Sequence, residues 1–293
     1  MAKYLVTGGT GFIGHNLTHK LVNMGHEVII TGSATELSVP NVTTLECHLT
    51  GINFKRIGKI DGCFHQAGNN QTTSLDKEEM MTANLHAAKT LFDRLFHDHE
   101  CKKIVYASSA SIYGNGQIPY EETNTPNPLS FYAESKLAFD EWIQNQNLNA
   151  VGLRYSNVYG PFEHHKKNRA SMISKILHDI QKNKSVKLFK YGEQKRDWIF
   201  VDDCTESNLF FMNSTYQGIV NCGSGEQTSF NEIVKICEEQ LDKKASVEYI
   251  DCNMNQEYQA NNQLCMKKSN TLGFHPKTSV RSGISQILKQ EKD

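Results

Sequence analysis

Tyr132 and Lys136, four positions apart in "FYAESK", carry the most definite chemical possibility in this 293-residue sequence. At that spacing both side chains share one helix face, where an ammonium beside a phenol lowers the phenol's pKa. A tyrosine so activated can exchange a proton with a substrate hydroxyl while a hydride passes to or from a nicotinamide. A place for that nicotinamide is visible near the start of the chain. "TGGTGFIG" sets Gly8, Gly11 and Gly14 in a G-x-x-G-x-x-G spacing, enclosing Phe12 and Ile13, between a strand-like run and a helix pattern. Glycines there permit a tight turn and close approach of backbone to a pyrophosphate, which rests on the positive end of the following helix.

The adenosine side is less regular. After the second strand-like run an acidic residue is expected to hold the ribose 2′-OH of NAD, but "ITGSATE" has Gly32 there. Without the carboxylate a 2′-phosphate is not repelled. Yet no Arg or Lys lies between Lys20 and Lys55 to bind one, leaving the hydroxyls of Thr31, Ser33 and Thr35 and the imidazole of His48. NADP is favoured slightly over NAD, and both stay open.

A third chemical feature is "GPFEHHKKNRASM" (160–172), which gathers His164, His165, Lys166, Lys167 and Arg169. With 31 Lys+Arg against 32 Asp+Glu the chain is nearly neutral, so the cluster is local and argues for neither nucleic acid nor a membrane surface. Adjacent histidines seldom converge on one ion, and the eight cysteines are scattered without a C-x-x-C pair. No metal site and no disulfide framework are expected. With no apolar run near 20 residues and no signal peptide at the start, a cytoplasmic protein is expected.

The elements that must position these residues alternate. Strand-like runs are "YLVT" (4–7), "EVIIT" (27–31), "GCFHQ" (62–66), "KIVYAS" (103–108) and "NAVGLRY" (149–155). Helix patterns lie between them in "GFIGHNLTHKLVNMG", "EEMMTANLHAAKTLFDRLF" and "YAESKLAFDEWIQNQ". This β-α-β rhythm predicts an α/β protein with a Rossmann-type doubly wound parallel sheet. From about residue 161 the rhythm loosens. The expected division is a dinucleotide-binding domain over 1–160, rejoined by about 197–222, and a smaller substrate-binding part over 161–196 and 223–293.

Taken together, the glycine turn, "YASSASIYG" (106–114), "FYAESK", "FHQAG" (64–68), Asn84 and "RYSNVYGP" (154–161) resemble the extended short-chain dehydrogenases/reductases, the NAD-dependent epimerase/dehydratase family. That resemblance implies Ser109 as the catalytic serine, Tyr132 as acid/base and Lys136 as its partner on the nicotinamide ribose. Gln66, Ala67, Gly68 and Asn84 fall beside the cofactor, although Asn84 serves equally as a helix-surface or capping residue. Dehydration is disfavoured, because Ala110 and Ser111 stand where the dehydratases carry an Asp-Glu pair.

Within the family, "QTTSLDKEEMMTAN" (71–84), "NVYGPFEHHKKNRASM" (157–172) and "KLFKYGEQKRDWIFVDD" (187–203) are most similar to the ADP-L-glycero-D-manno-heptose 6-epimerases. What this implies is oxidation of the heptose C6 to a ketone and return of the hydride to its other face. A single positioned group reaches one face, so a second acid/base is needed. The resemblance puts it on Lys166, beside Glu163 and His165. A two-residue expansion in "KKNRASM" leaves Lys167 as the alternative. Asn157, Ser171, Phe189, Arg196 and Tyr258 are implied to line the nucleotide-sugar site, with Arg196 on the diphosphate. Tyr258 reads equally well as a core aromatic. The resemblance also implies a homo-oligomer. Two other readings stay open: an epimerase or reductase for another nucleotide sugar, such as a UDP-hexose or GDP-heptose, and a non-catalytic dinucleotide-binding sensor.

Overall fold

The computed structural model describes residues 1–32, 39–40, 42–71, 74–163, 166, 169–251, 259 and 261–290. In chain order, β1 (Lys3–Thr7), α1 (Phe12–Asn23), β2 (Glu27–Gly32), β3 (Thr43–Glu46) and β4 (Gly62–His65) lead into α2 (Lys77–Met81). A π-helical turn, Thr82–His86, joins α2 to α3 (Ala87–Asp98). Then come β5 (Ile104–Ser109), α4 (Phe131–Gln144), β6 (Ala150–Tyr155), β7 (Asn157–Tyr159), α5 (Met172–Gln181), β8 (Ser185–Phe189) and β9 (Lys195–Phe200). The chain closes with α6 (Val201–Asn213), β10 (Gly218–Cys222), β11 (Gln227–Ser229), α7 (Phe230–Leu241), β12 (Ser246–Ile250), α8 (Lys267–Thr271) and α9 (Val280–Gln290).

Why the first strands form is plain from their burial. "GCFH" of β4 and "AVGLRY" of β6 are buried at every position, as strands must be when helices cover both faces of a parallel sheet. The seven-stranded parallel sheet has the order β10-β6-β5-β4-β1-β2-β3. β2 and β3 are added on one side of β1, while β4 and the later strands are added on the other. The direction of winding reverses between β1 and β4, and the crevice beyond their carboxyl ends is where such sheets bind ligands.

Packing divides the chain into two units. The first comprises Met1–Ile112, Ser130–Arg154 and Thr205–Val220, the second Tyr113–Leu129, Tyr155–Cys204 and Asn221–Asp293. In the first, Phe92, Tyr106 and Phe139 meet edge to face with ring centres 5.1–5.9 Å apart inside a core that includes Leu5, Ile29, Leu91 and Ile104. In the second, α5, α7 and α9 close over Tyr159, Trp198 and Phe200. Its strands form a three-stranded sheet, β11-β9-β7, and a two-stranded one, β12-β8.

These boundaries differ from a first domain running to 160. Residues 113–129 pack with the second unit because Tyr113 Oη donates to Asn221 Oδ1 at 2.7 Å and Tyr120 N donates to the Gln263 carbonyl at 2.7 Å. β7 belongs there too, since it pairs with β9. Among the described residues no helix is long and apolar enough to cross a membrane, and no group of His, Cys, Asp and Glu could hold a metal ion.

Candidate functional site

The glycine turn sits at the carboxyl end of β1. Gly8 has φ +68°, and a Cβ there would come within 2.8 Å of the Ala67 backbone. Gly14 is tighter still, since its Cβ would lie 2.1 Å from the Gly8 carbonyl oxygen. The first turn of α1 therefore presses directly on the loop that precedes it. Gly11 is the N-cap of α1 and supplies no side-chain cap, so the helix begins with backbone N–H groups of the kind that receive phosphate oxygens. Phe12 is buried at the helix start and Ile13 is half-buried beside it. A dinucleotide pyrophosphate fits this backbone, which any larger residue at Gly8 or Gly14 would obstruct.

Gly32 ends β2, and a Cβ there would lie 2.0 Å from Thr10 Oγ1. Close packing against Thr10 thus excludes the ribose-binding carboxylate from this position. Ser33 and Thr35 lie outside the described residues. After β4, Gln66 Nε2 donates to Asn208 Oδ1 at 2.9 Å, and Ala67 N donates to Thr7 Oγ1 at 3.3 Å.

Ser109, the last residue of β5, brings its hydroxyl to the Tyr132 phenol on the first turn of α4, and to Ser111 Oγ at 2.9 Å. α4 starts here because Ser130 Oγ accepts from Ala133 N, an N-cap that sets where Tyr132 and Lys136 fall. Lys136 is buried; its Nζ donates to the Ala107 carbonyl at 2.9 Å and lies 5.9 Å from the Tyr132 ring centre. Burial pulls the Lys136 amine down to about 8, opposed by the carboxylate of Asp140. For Tyr132 the outcome corrects the sequence expectation. Burial pushes the phenol up, and the opposing influence is the Ser109 hydrogen bond rather than Lys136, whose ammonium is turned to Ala107.

Asn84 is neither a surface residue nor a cap. It is buried in the π-helical turn, where its Oδ1 accepts from Asn69 N at 2.7 Å and its Nδ2 donates to the Asn69 carbonyl at 2.9 Å and to Ser135 Oγ at 3.0 Å. It ties the loop after β4 to the residue preceding Lys136. A Cβ on Gly68 would meet Asn84 Oδ1 at 2.9 Å and Lys136 Nζ at 3.4 Å, so Gly68, Asn84 and Lys136 are brought together.

Sequence reasoning passed over the polar group behind them. Asp140, one turn after Lys136, accepts from Tyr106 Oη at 3.0 Å, Ser108 Oγ at 2.9 Å and Arg154 Nε at 3.0 Å. All four residues are buried. The available signal was a second charged residue four positions after Lys136, on the same helix face.

The second unit holds the basic cluster. Glu163 is 3% exposed and accepts from Gly160 N at 3.2 Å, Ser171 N at 2.8 Å, Ser171 Oγ at 2.7 Å and Ser174 Oγ at 2.8 Å. Lys166 Nζ completes the set, 2.7 Å from Oε2. Of the run of charge, Lys166 is thus folded onto a buried carboxylate. Ser171 is also the N-cap of α5. Lys175, on the same helix, has its amine pulled down by burial and by the charge of Lys166.

Arg196 lies in β9 and is buried, its Nη1 donating to the Lys195 carbonyl at 3.1 Å and its guanidinium 5.8 Å from the Phe230 ring centre. Asn157 Nδ2 donates to the Asp197 carbonyl at 2.9 Å, and Phe189 ends β8 half-buried. Tyr258, His164, His165 and Lys167 lie outside the described residues.

Residues 4–223 match the model of the NAD dependent epimerase/dehydratase family. The chain is 35% identical to an ADP-L-glycero-D-manno-heptose-6-epimerase of Brachyspira hyodysenteriae, over 97% of this chain and 96% of that protein. Among solved structures, the Helicobacter pylori ADP-L-glycero-D-manno-heptose-6-epimerase superposes with a TM-score of 0.90 at 30% identity, covering 99% of this chain and 96% of that one. The Thermus thermophilus UDP-glucose 4-epimerase in complex with NAD superposes with a TM-score of 0.88 at 26% identity, covering 99% of each chain.

Proposed function

Because this chain belongs to the NAD dependent epimerase/dehydratase family, we propose that it is a nucleotide-sugar epimerase, acting at C6 of an ADP-activated heptose. The observation that carries the reading is the grouping of Ser109, Tyr132 and Lys136 beside Gly68 and Asn84 in the unit that holds the glycine turn. A bound nicotinamide supplies the hydride acceptor and, after the carbonyl has presented its other face, the hydride donor. Tyr132, as the phenolate, takes the proton from the sugar hydroxyl while Ser109 holds the same oxygen by a hydrogen bond. Lys136 contributes positive charge below about pH 8 and binds the nicotinamide ribose. Lys166 provides the second acid/base, with Glu163 setting its position.

For the substrate, the Arg196 guanidinium supports diphosphate recognition, since its planar fork matches two phosphate oxygens. Asn157, Ser171, Phe189 and Tyr258 complete the proposed substrate set. For the cofactor, the glycine at position 32, closed off by Thr10, slightly favours NADP because no carboxylate repels a 2′-phosphate, and NAD, for which the family is named, stays the other reading. The working form is proposed as a cytoplasmic homo-oligomer. A UDP-hexose epimerase is the second reading, supported by the likeness to the Thermus thermophilus enzyme.

The test is to release and identify any dinucleotide carried by the purified protein, then to follow ADP- and GDP-heptoses and UDP-hexoses by NMR without added cofactor. Interconversion of two C6 epimers is expected for the ADP-heptose. Net consumption of NADPH would replace epimerase by reductase. Absence of chemistry on any of these sugars would leave a dinucleotide-binding sensor.

A further inference from the structure

The Asp140 group lies one turn beyond Lys136 on α4 and has no role given so far. Four buried side chains from three elements meet there: Tyr106 and Ser108 from β5, Asp140 from α4 and Arg154 from β6. Tyr106 occupies one carboxylate oxygen, and Ser108 and Arg154 share the other. A carboxylate placed wholly inside a protein is costly unless it is paired and hydrogen-bonded, and this one is both.

Asp140 follows Lys136 by four residues, which puts the two on one face of the helix, a turn apart. Between Tyr106 and Ser108 on β5 stands Ala107, whose carbonyl receives Lys136 Nζ. One strand segment therefore holds both residues, Asp140 through alternate side chains and Lys136 through the intervening carbonyl. Tyr132 begins the same face one turn earlier.

We propose that Asp140 is a positioning residue: it pins the helix that presents Tyr132 and Lys136 to β5 and β6, and serves as the counter-charge of the Lys136 ammonium. The proposal rests on the epimerase reading for its effect on turnover, but its electrostatic part is independent of that reading. Among the described residues, the charged and titratable groups facing Lys136 are Tyr132 and Asp140 on its own helix and His65 on β4, with Arg154 on β6 paired to Asp140. His65 is buried and neutral, bonded through Nδ1 to Thr7 Oγ1, so Asp140 is the negative group among them. Without it, Lys136 would face a neutral imidazole and an Arg154 guanidinium stripped of that carboxylate, and would lose its proton more easily.

The test labels lysines with 13C at Cε and follows the Lys136 resonance, assigned by its absence in Lys136→Arg, against pH in the full chain. In the parent its midpoint is expected near 8. In Asp140→Asn it should fall by about one pH unit or more, and the alkaline limb of the epimerisation rate should fall with it. Asp140→Glu, which keeps the charge, should restore both. Should Asp140→Asn not fold, Asp140→Ser, small and still able to accept from Arg154, carries the same measurement. An unchanged Lys136 midpoint in a folded neutral variant would overturn the counter-charge role. A moved midpoint in a protein that epimerises no sugar would instead refute the functional reading and leave this one standing.

Discussion

Glu163 offers the sharpest test of how the basic segment is held. In Glu163→Ala, two backbone N–H groups, two serine hydroxyls and the Lys166 ammonium lose their acceptor together. The hydroxyls can rotate to other partners, but the N–H groups of Gly160 and Ser171 cannot. Breaking a buried ion pair by removing one partner costs about 3–5 kcal/mol. The Lys166 side chain is 16% exposed, so water recovers part of this and the lower end, about 3 kcal/mol, applies. Glu163→Gln is milder. Its carbonyl can replace Oε2 toward Lys166 and Ser171 N, while its amide replaces Oε1, where both serine hydroxyls can turn to accept and only Gly160 N–H faces a donor. One unsatisfied N–H and a weakened charge pair amount to about 2 kcal/mol. Trp198 is buried in the same unit, so urea unfolding followed by fluorescence in a Trp142→Phe background reads the right region. Parent, Gln and Ala should unfold in that order of falling midpoint. Unfolding free energies for all three that agree within about 0.5 kcal/mol would show that the carboxylate is not what folds this segment.

Other outcomes follow from the same geometry. Gly14→Ala must displace the Gly8 carbonyl and should weaken dinucleotide binding at least about tenfold by calorimetric titration, because the first turn of α1 can no longer close. Lys166→Met should abolish epimerisation while cofactor affinity stays within about twofold of the parent, and full activity in that variant would remove Lys166 from the chemistry. His65, pushed down to about 3 by burial, binds no proton in the fold between pH 6.5 and about 3, whereas the unfolded chain does. Stability must therefore fall as pH drops through that window, and a folded His65→Gln variant should lose this component of acid unfolding. Lys136 works in the opposite range: its folded amine titrates near 8 and its unfolded amine near 10.4, so its burial penalty disappears as pH rises between the two.

How much of this was legible in the sequence depended on how local the cause was. β1, β2, β4, β5 and β6 were visible because buried parallel strands are written as short apolar runs, and the glycine turn because its steric reasons lie within eight residues. β3 was missed since only Leu45 of its four residues is buried, so no pattern marks it. No helix is read from the sequence over α6, where the chain turns helical at Val201, with Asp202 and Asp203 in the favourable first turn. Motif spacing located Tyr132 and Lys136 but misjudged their interaction, because where an ammonium points is decided by a carbonyl on another element. Asp140 and Arg154 are fourteen residues apart, and Asn84 and Ser135 fifty-one; partnerships at such distances leave no periodic signal in a single sequence. The packed units part after Arg154 and give residues 113–129 to the second, a departure from the division expected at 160 with a similar reason, since a loop joins whichever unit its side chains bond to.

The π-helical turn at Thr82–His86 has a bearing on which length changes this chain can accept. A turn of five residues carries more chain per revolution than the α-helix on either side, so Lys77–Asp98 holds more chain than a regular helix of as many turns. Deleting one residue there would let the segment close into a regular helix and remove the widened turn that carries Asn84. Asn84 would swing away from Asn69 and Ser135, and the loop beyond β4 would come free of the helix bearing Lys136. An apparent irregularity in the backbone thus acts as a length gauge: surface loops can drift in size, but this helix is counted to the residue.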